Sequence, residues 1–416
     1  MRGEIICIGD ELISGRVGEG NARYAMSRLH PLGLTVGAVV IVGDNAQDIA
    51  FALRQALGRA DFVICCGGLG ATDDDITART AAEVFGLALT ESQRMVANLR
   101  RCFQAMGLEL RAETRKMAWL PDGAEILCAT CAGFKLSGPD GRPVFFLPGV
   151  PREMRRLIDE SVLPALLGRF GHDAAVLSRK LRVFGLEEAE VGLRLEGLAQ
   201  GVAGASVGFY PVFPEVQVQL SVLGQDRPTM EDALDGLEGR ARQLLGDHVV
   251  GGDDGLEEAV GRVLRARGLR LAVAESCTGG LIGHRLTSRP GSSDYFDRGL
   301  IVYSNQAKQE LLGVTADSLE RHGAVSAQCA AEMAQGARQR AAADLGLAVT
   351  GIAGPGGGSD EKPVGTVFFG LADSQGVRSQ GYLFRGGRAM IKAQAAENAL
   401  DWLRRYLADD AFVRGA

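Results

Sequence analysis

Residues 269–280 read LRLAVAESCTGG, an apolar run of strand length that breaks into Glu275, Ser276, Cys277, Thr278, Gly279 and Gly280. Apolar residues ended by small and polar ones, with a helical pattern following, mark the strand-to-helix joint of an α/β sheet. Ligands in such sheets bind beyond the carboxyl ends of the strands. A serine at this joint can turn its hydroxyl into the crevice while the following amides face an anion or oxyanion. Ser276 or Thr278 can equally serve as a plain helix N-cap. Two more joints of this kind follow. Strand Leu300–Tyr303 leads into Ser304, Asn305, Gln306, Ala307 and Lys308, and strand Leu345–Val349 leads into Thr350 and the glycine-rich run to Gly358. Such a loop lets backbone amides approach a phosphate or substrate closely, or is a mobile connector.

The pattern around these joints alternates helix 256–267, strand Leu269–Ala274, a helix from Gly279, a helix near Gln306 and a long helix capped by Ser326. Strands Val364–Leu371 and Val377–Phe384 precede a closing helix marked by Ile391, Ala395, Leu400 and Leu403. Residues 253–416 therefore read as one α/β domain. A serine nucleophile needs a base. His284 lies two helical turns beyond Ser276 and His322 has no local context, so both read as surface or packing residues. Lys308 is either an ordinary solvated helix lysine or, if buried near Ser276, an amine that loses its proton easily enough to act as the base.

Upstream, residues 1–168 alternate in the same way. Glu4–Ile8, Leu34–Val42, Phe62–Cys66 and Pro143–Leu147 read as strands, Asn21–Leu32 and a segment capped by Asn45 as helices, and Met154–Leu167 as a further helix. After Phe62–Cys66 come Gly67, Gly68, Leu69, Gly70, Ala71, Thr72, Asp73, Asp74, Asp75, Ile76 and Thr77. The glycines can cradle a phosphate that the aspartates repel, and a hard divalent cation such as magnesium resolves the conflict. A charged helix N-terminus explains the same aspartates without a ligand. Residues 169–252 change texture to a small α+β module, in which Val216, Val218, Leu220 and Val222 alternate with Gln217, Gln219 and Ser221 as for a sheet with one wet face. Gly251–Gly255 reads as the linker to the last domain.

The chain has 416 residues, which suits two or three domains at roughly 150 residues each. Its net charge of −6 offers no broad cationic field for nucleic acid, so nucleic-acid binding is not expected. The eight cysteines lie mostly in apolar runs and read as buried thiols. Cys128 and Cys131 form the single CxxC, a weak sign of redox chemistry or zinc. The apolar run in MRGEIICIGDEL is too short for a signal peptide, and no run has the length of a membrane span. A cytoplasmic, reduced setting is expected.

The strings AESCTGG, GSSDYFDRGLIVYSNQAK, GAVS and VTGIAGPGGG with KPVGTV resemble the C-terminal domain of the CinA family, the nicotinamide mononucleotide (NMN) amidohydrolases. The resemblance implies hydrolysis of the carboxamide of NMN to nicotinic acid mononucleotide and ammonia. Ser276 would be the nucleophile and Lys308 its base, with Tyr303 and Thr350 supporting. Thr278, Gly279, Gly280, Asn305, Gly351 and Gly354 would bind substrate, and no cofactor is implied for this step. The strings GDELISG, VGDN at 42–45, GGLGATDDD and LPGVPREM resemble the N-terminal domain of the same family, which is similar to the molybdopterin-binding MoaB and MogA proteins. There the resemblance implies metal-dependent cleavage of ADP-ribose, with Gly67, Gly68, Gly70 and Thr77 at the phosphates and Asp44, Asp74 and Asp75 at a divalent metal. Ala71 stands where the family has proline. The run Gly15–Gly20 departs from an asparagine-rich family version, although Asn21 remains and Arg16 is free to meet a phosphate. The middle module is similar to a KH-type fold. The expected architecture is thus α/β: two α/β domains, 1–168 and 253–416, joined by a KH-type α+β module at 169–252, in a homodimer.

Two other readings compete. One is a binding module serving competence or DNA repair, against which stand the acidic charge and the lack of a GxxG loop flanked by basic residues. The other is an N-terminal domain that binds a pterin or nucleotide without chemistry.

Overall fold

The computed structural model describes residues 1–105, 107–111, 113–128, 132–171 and 175–408. Cys131, half of the CxxC, lies outside them. The chain forms two compact units, Met1–Leu177 with Val222–Glu231, and Ser178–Ser221 with the residues from Asp232 onward.

In the first unit six strands form a sheet in the order Thr35–Val42, Arg2–Ile8, Phe62–Cys66, Pro143–Leu147, Phe134–Ser137, Glu125–Ile126. The first four run parallel and the last two antiparallel. Phe62–Cys66 and Pro143–Leu147 are buried at every position, as continuous apolar runs require when both faces are covered. The two-residue period divides them cleanly. Ile6, Ile8, Val63 and Cys65 pack on one face under the helix Ala46–Arg59, and Ile5, Cys7, Ile64 and Cys66 on the other under Asn21–Leu29. Asn45 caps the former helix by accepting from the amides of Gln47 and Asp48. The expected helix around Met154–Leu167 is present but widens into a π turn at Ile158–Val162. Pro164, lacking an N–H, cannot close the regular bond back to Glu160.

Ala205–Val212, Glu215–Gly224, Ala175–Val183 and Val249–Gly251, most of whose residues belong to the second unit, form a four-stranded sheet in that order, followed in the chain by the helix Arg227–Leu245. Val216, Val218, Leu220 and Val222 are buried as expected, whereas Ser221, expected on the wet face, is buried with its hydroxyl 2.8 Å from that of Ser178. Gly251–Gly255 is no loose linker. Gly251 ends a strand, Gly255 opens the helix Gly255–Arg267, and Arg182 Nε donates to Gly252 O between them.

The second sheet of this unit runs Phe296–Ile301, Leu271–Glu275, Leu345–Gly351, Thr366–Ala372, Val377–Leu383, the first three parallel and the last two antiparallel. The first of these ends at Ile301, two residues before the expected Tyr303. The helix Ala327–Ala341, capped by Ser326, lies directly on the sheet backbone. A Cβ at Gly346 or Gly370 would stand 2.1 Å from the carbonyl oxygen of Ala334 or Ala330. Helices Gly255–Arg267 and Arg388–Ala408 cover the opposite face.

A buried ion chain ties the KH-type module to this α/β domain. Arg182 meets Glu215 on the module (3.1 Å), and on the domain Glu397 meets Arg285 (2.6 Å), which also meets Glu257 (2.7 Å). Burial pushes the Glu397 carboxyl up to about 7, opposed by Arg285 and reinforced by the Glu215 carboxylate. Because this folded-state value lies above that of an unfolded glutamate, the stability it contributes is full below about 4.5 and is lost as pH rises through about 7. Relative to wild type, Glu397→Gln should therefore gain stability between pH 5 and 8, by about 3 kcal/mol at most. Thermal unfolding of both proteins across that range checks this, and a constant difference contradicts it.

Candidate active site

Sheet register assembles the site. Glu275 pairs with Ile301 on one side and Val349 on the other, so the loops that follow these three parallel strands emerge at one sheet end. They are laced by backbone bonds from Ser276 N to Val349 O (2.9 Å) and from Val302 N to Glu275 O (2.8 Å). The Glu275 carboxylate is buried and accepts from the amides of Gly280 (3.0 Å), Ile282 (3.1 Å) and Gly283 (2.8 Å). It coils residues 276–280 around itself, and Gly279 and Gly280 take the positive φ angles, 63° and 95°, that this turn requires. Ser276 is thereby held at the turn's start, facing a cavity.

Lys308 enters from the helix Asn305–Leu312, whose N-cap Ser304 accepts from Ala307 N. Its side chain is 1% exposed. Nζ lies 3.1 Å from Ser276 Oγ, 2.9 Å from Val302 O and 3.3 Å from Tyr303 O. Burial pushes the amine below the ordinary lysine range. A neutral amine has two N–H groups and one lone pair. Two carbonyls and one hydroxyl match that inventory, with the lone pair left for the serine proton. The protonated amine has three donors for the same three oxygens, so one geometry satisfies both states.

These groups line a cavity of about 200 Å³ together with Asn305, Thr350, Gly351 and Arg388. Thr350 is buried and its hydroxyl donates to Ala324 O (2.7 Å), leaving lone pairs toward the cavity. The Tyr303 ring is exposed at the rim. Its hydroxyl accepts from Arg388, which also donates to Gly354 O (2.7 Å). Gly354 acts through that carbonyl and does not line the cavity. Thr278 is fully buried outside it with an unpartnered hydroxyl. The expectation that amides at Gly279 and Gly280 face an oxyanion does not hold. Gly279 N–H donates to Ser276 O (3.2 Å) and Gly280 N–H to Glu275, so both are used by the turn. His284 sits on an exposed helix face and His322 is likewise exposed. Arg388 escaped the sequence reading, being 112 residues from Ser276 and marked only by the Gly386–Gly387 break before the closing helix.

In the first unit a larger cavity, about 980 Å³, is lined by Gly68, Gly70, Asp75, Arg79, Lys116 and Trp119 among others. Gly67 and Gly68 have positive φ, and a Cβ on Gly68 would lie 2.1 Å from the buried, unpartnered Thr77 hydroxyl. Lys116 donates to Thr72 O across the loop. Asp44, Asp74 and Asp75, expected at a metal, do not converge on one. Asp75 turns back to accept from the amide and hydroxyl of Thr72 (2.9 and 2.6 Å). Asp44 and Asp10 exchange backbone-to-carboxylate bonds (2.9 and 3.1 Å). Burial, with the charges of Asp10, Asp74 and Glu11 nearby, raises the Asp44 carboxyl. Among the described residues no three carboxylate, His or Cys side chains form a metal cage, nor is any helix long and apolar enough to cross a membrane.

Comparison with known proteins gives the family. Residues 253–407 match the family model described as the CinA C-terminal domain, residues 178–251 the damage-inducible protein CinA KH domain, and residues 4–168 the "Probable molybdopterin binding domain". A CinA-like protein of Geobacter metallireducens is 44% identical over 411 residues, covering 98% of this chain and 99% of its own length. The chain belongs to the CinA family. A second relative, the CinA-like protein of Geobacter sulfurreducens, is also 44% identical over 411 residues, with the same coverage. Among solved structures, the competence/damage inducible protein CihA from Agrobacterium tumefaciens is 44% identical, covers 37% of this chain and 95% of its own, and superposes with a TM-score of 0.35. The three family models show an α/β protein with a molybdopterin-binding-like domain, a KH module and a CinA C-terminal domain.

Glu275 bears the turn that carries Ser276. Glu275→Ala strands three amides, that of Ile282 buried and those of Gly280 and Gly283 partly buried, and should lower stability by about 2–4 kcal/mol. Glu275→Gln, which keeps an acceptor oxygen, should lose less. Denaturant unfolding of both variants decides it, and equal stability for Glu275→Ala and wild type contradicts the assignment.

Proposed function

We propose that the C-terminal domain is an NMN deamidase acting through Ser276 and Lys308. The observation that carries this is the buried amine 3.1 Å from the serine hydroxyl, its two other bonds made to carbonyls. Lys308 takes the proton of Ser276 as Oγ attacks the carboxamide carbon. The C–N bond breaks as Lys308 returns that proton to the departing nitrogen, and ammonia leaves. A water, deprotonated by the same amine, then attacks the serine ester, and Lys308 returns that proton to Ser276 Oγ as the C–O bond breaks, releasing nicotinic acid mononucleotide. Asn305 and Arg388 add side-chain donors to the cavity beside Ser276 and Lys308, and Arg388, next to Tyr303, suits the substrate's phosphate. The proposed reaction belongs to pyridine nucleotide salvage, and a cytoplasmic setting is proposed with it.

For the N-terminal domain we propose a nucleotide-diphosphate ligand such as ADP-ribose, supported by the size of the cavity and by Trp119, Arg79 and Lys116 along it. A pterin suits the same aromatic and cationic wall. Asp44, Asp74 and Asp75 do not fit a preassembled metal cage.

Purified protein should release ammonia from NMN with a chelator present. Ser276→Ala and Lys308→Met should fold and lose about 10³-fold or more of kcat/KM. The wild-type rate should rise with pH through the Lys308 ionisation, below the ordinary lysine range, because only the neutral amine accepts the serine proton. Full activity in Ser276→Ala, or none without chelatable metal, contradicts the mechanism. In the same preparations ADP-ribose binding, read by calorimetry, should weaken at least tenfold in Lys116→Ala; unchanged binding removes that ligand from the proposed cavity.

A further inference from the structure

A third cavity, of about 320 Å³, lies in the second unit where the KH-type module meets the α/β domain, and it shares no residue with the deamidase pocket. Three elements each contribute one arginine to its lining. Arg242 comes from the helix Arg227–Leu245, Arg262 from Gly255–Arg267 and Arg404 from the closing helix, while Gly251, Gly252 and Gly255 supply a floor without side chains. A single carboxylate, Asp254, belongs to the lining. It stands 3.6 Å from Arg262 with both side chains 67% exposed, a separation and exposure at which an ion pair neutralises little.

The other carboxylates that hold these arginines are shared. Glu238 is engaged by both Arg242 and Arg179, and Asp401 by both Arg404 and Arg405. Arg404 is fixed by a further bond to Asp247 O (2.8 Å) and is mostly buried. The lining thus carries three cations against one weakly paired anion, in a chain whose net charge is −6. Composition alone does not produce such a convergence. Guanidinium forks match the oxygen geometry of phosphate, and the volume suits a small ligand, at the low end of the range for binding pockets.

We propose that this cavity binds a small phosphate monoester, its phosphate held by Arg242, Arg262 and Arg404 over the Gly251–Gly255 floor. The site is physically joined to the deamidase pocket, because Arg404 and Arg388 lie on one helix, 16 residues and about 24 Å apart. The inference stands independently of the reaction proposed for that pocket.

The test uses full-length protein carrying Arg388→Ala and Lys116→Ala, which removes one cationic side chain from each of the other two cavities and leaves Arg79, Arg115 and Lys308 in place. Inorganic phosphate and AMP are titrated by calorimetry, with and without the added pair Arg242→Ala and Arg262→Ala. Those two side chains are 46% and 67% exposed, and thermal unfolding without ligand checks that the variant folds. The background protein should bind at least one probe saturably at millimolar concentration or below, and the added pair should weaken that binding at least tenfold. No saturable binding in the background, or binding unchanged by the added pair, overturns the proposal.

Discussion

An amine taken out of water without a carboxylate beside it is costly to keep charged, and Lys308 is such an amine. Among the described residues its hydrogen-bond partners are two carbonyls and one hydroxyl, and Cys277 and Cys329 are the ionisable groups that bear on it. Burial resolves the conflict by favouring the neutral form. Much of the surrounding structure serves to hold that one group in place. The Ser304 cap starts its helix, the strand ending at Ile301 presents the Val302 and Tyr303 carbonyls, and the Glu275 turn sets the serine opposite.

How far the sequence discloses this depends on the range of the interaction. Ser276 directly follows its strand, Thr350 is the penultimate residue of another, and Lys308 lies seven residues after a third, so their placement near strand ends was legible locally. Their meeting was legible only through the parallel order of the three strands, which register enforces and which no single segment encodes. From its own surroundings Lys308 read as a solvated helix lysine. Its burial comes from the helix Ala327–Ala341 and from loops far along the chain. Arg388 reaches the cavity only because two antiparallel strands carry the chain back before the closing helix begins.

Carboxylates were the least legible residues, for a common reason. An acidic side chain after a strand suggests a ligand, yet backbone amides compete for it at short range. Glu275 is consumed by three amides of its own turn, Asp75 by Thr72, and Asp44 by Asp10. The same competition withdraws the Gly279 and Gly280 amides from the cavity. Ser221 shows the converse, a polar residue in a wet-face position that is buried because Ser178 stands across from it. Hydrophobic period located the sheets, and local hydrogen bonding then reassigned the polar groups at their edges.

The protonation state of Lys308 is the quantity on which the catalytic reading rests. Its most direct measurement is an NMR titration of the side-chain carbon next to Nζ, assigned by comparison with Lys308→Met, in protein that keeps Ser276. A midpoint clearly below that of the solvated lysines in the same spectrum is the predicted result. A midpoint level with theirs would mean an ammonium ion beside Ser276 at neutral pH, unable to take its proton, and would contradict the serine–lysine mechanism.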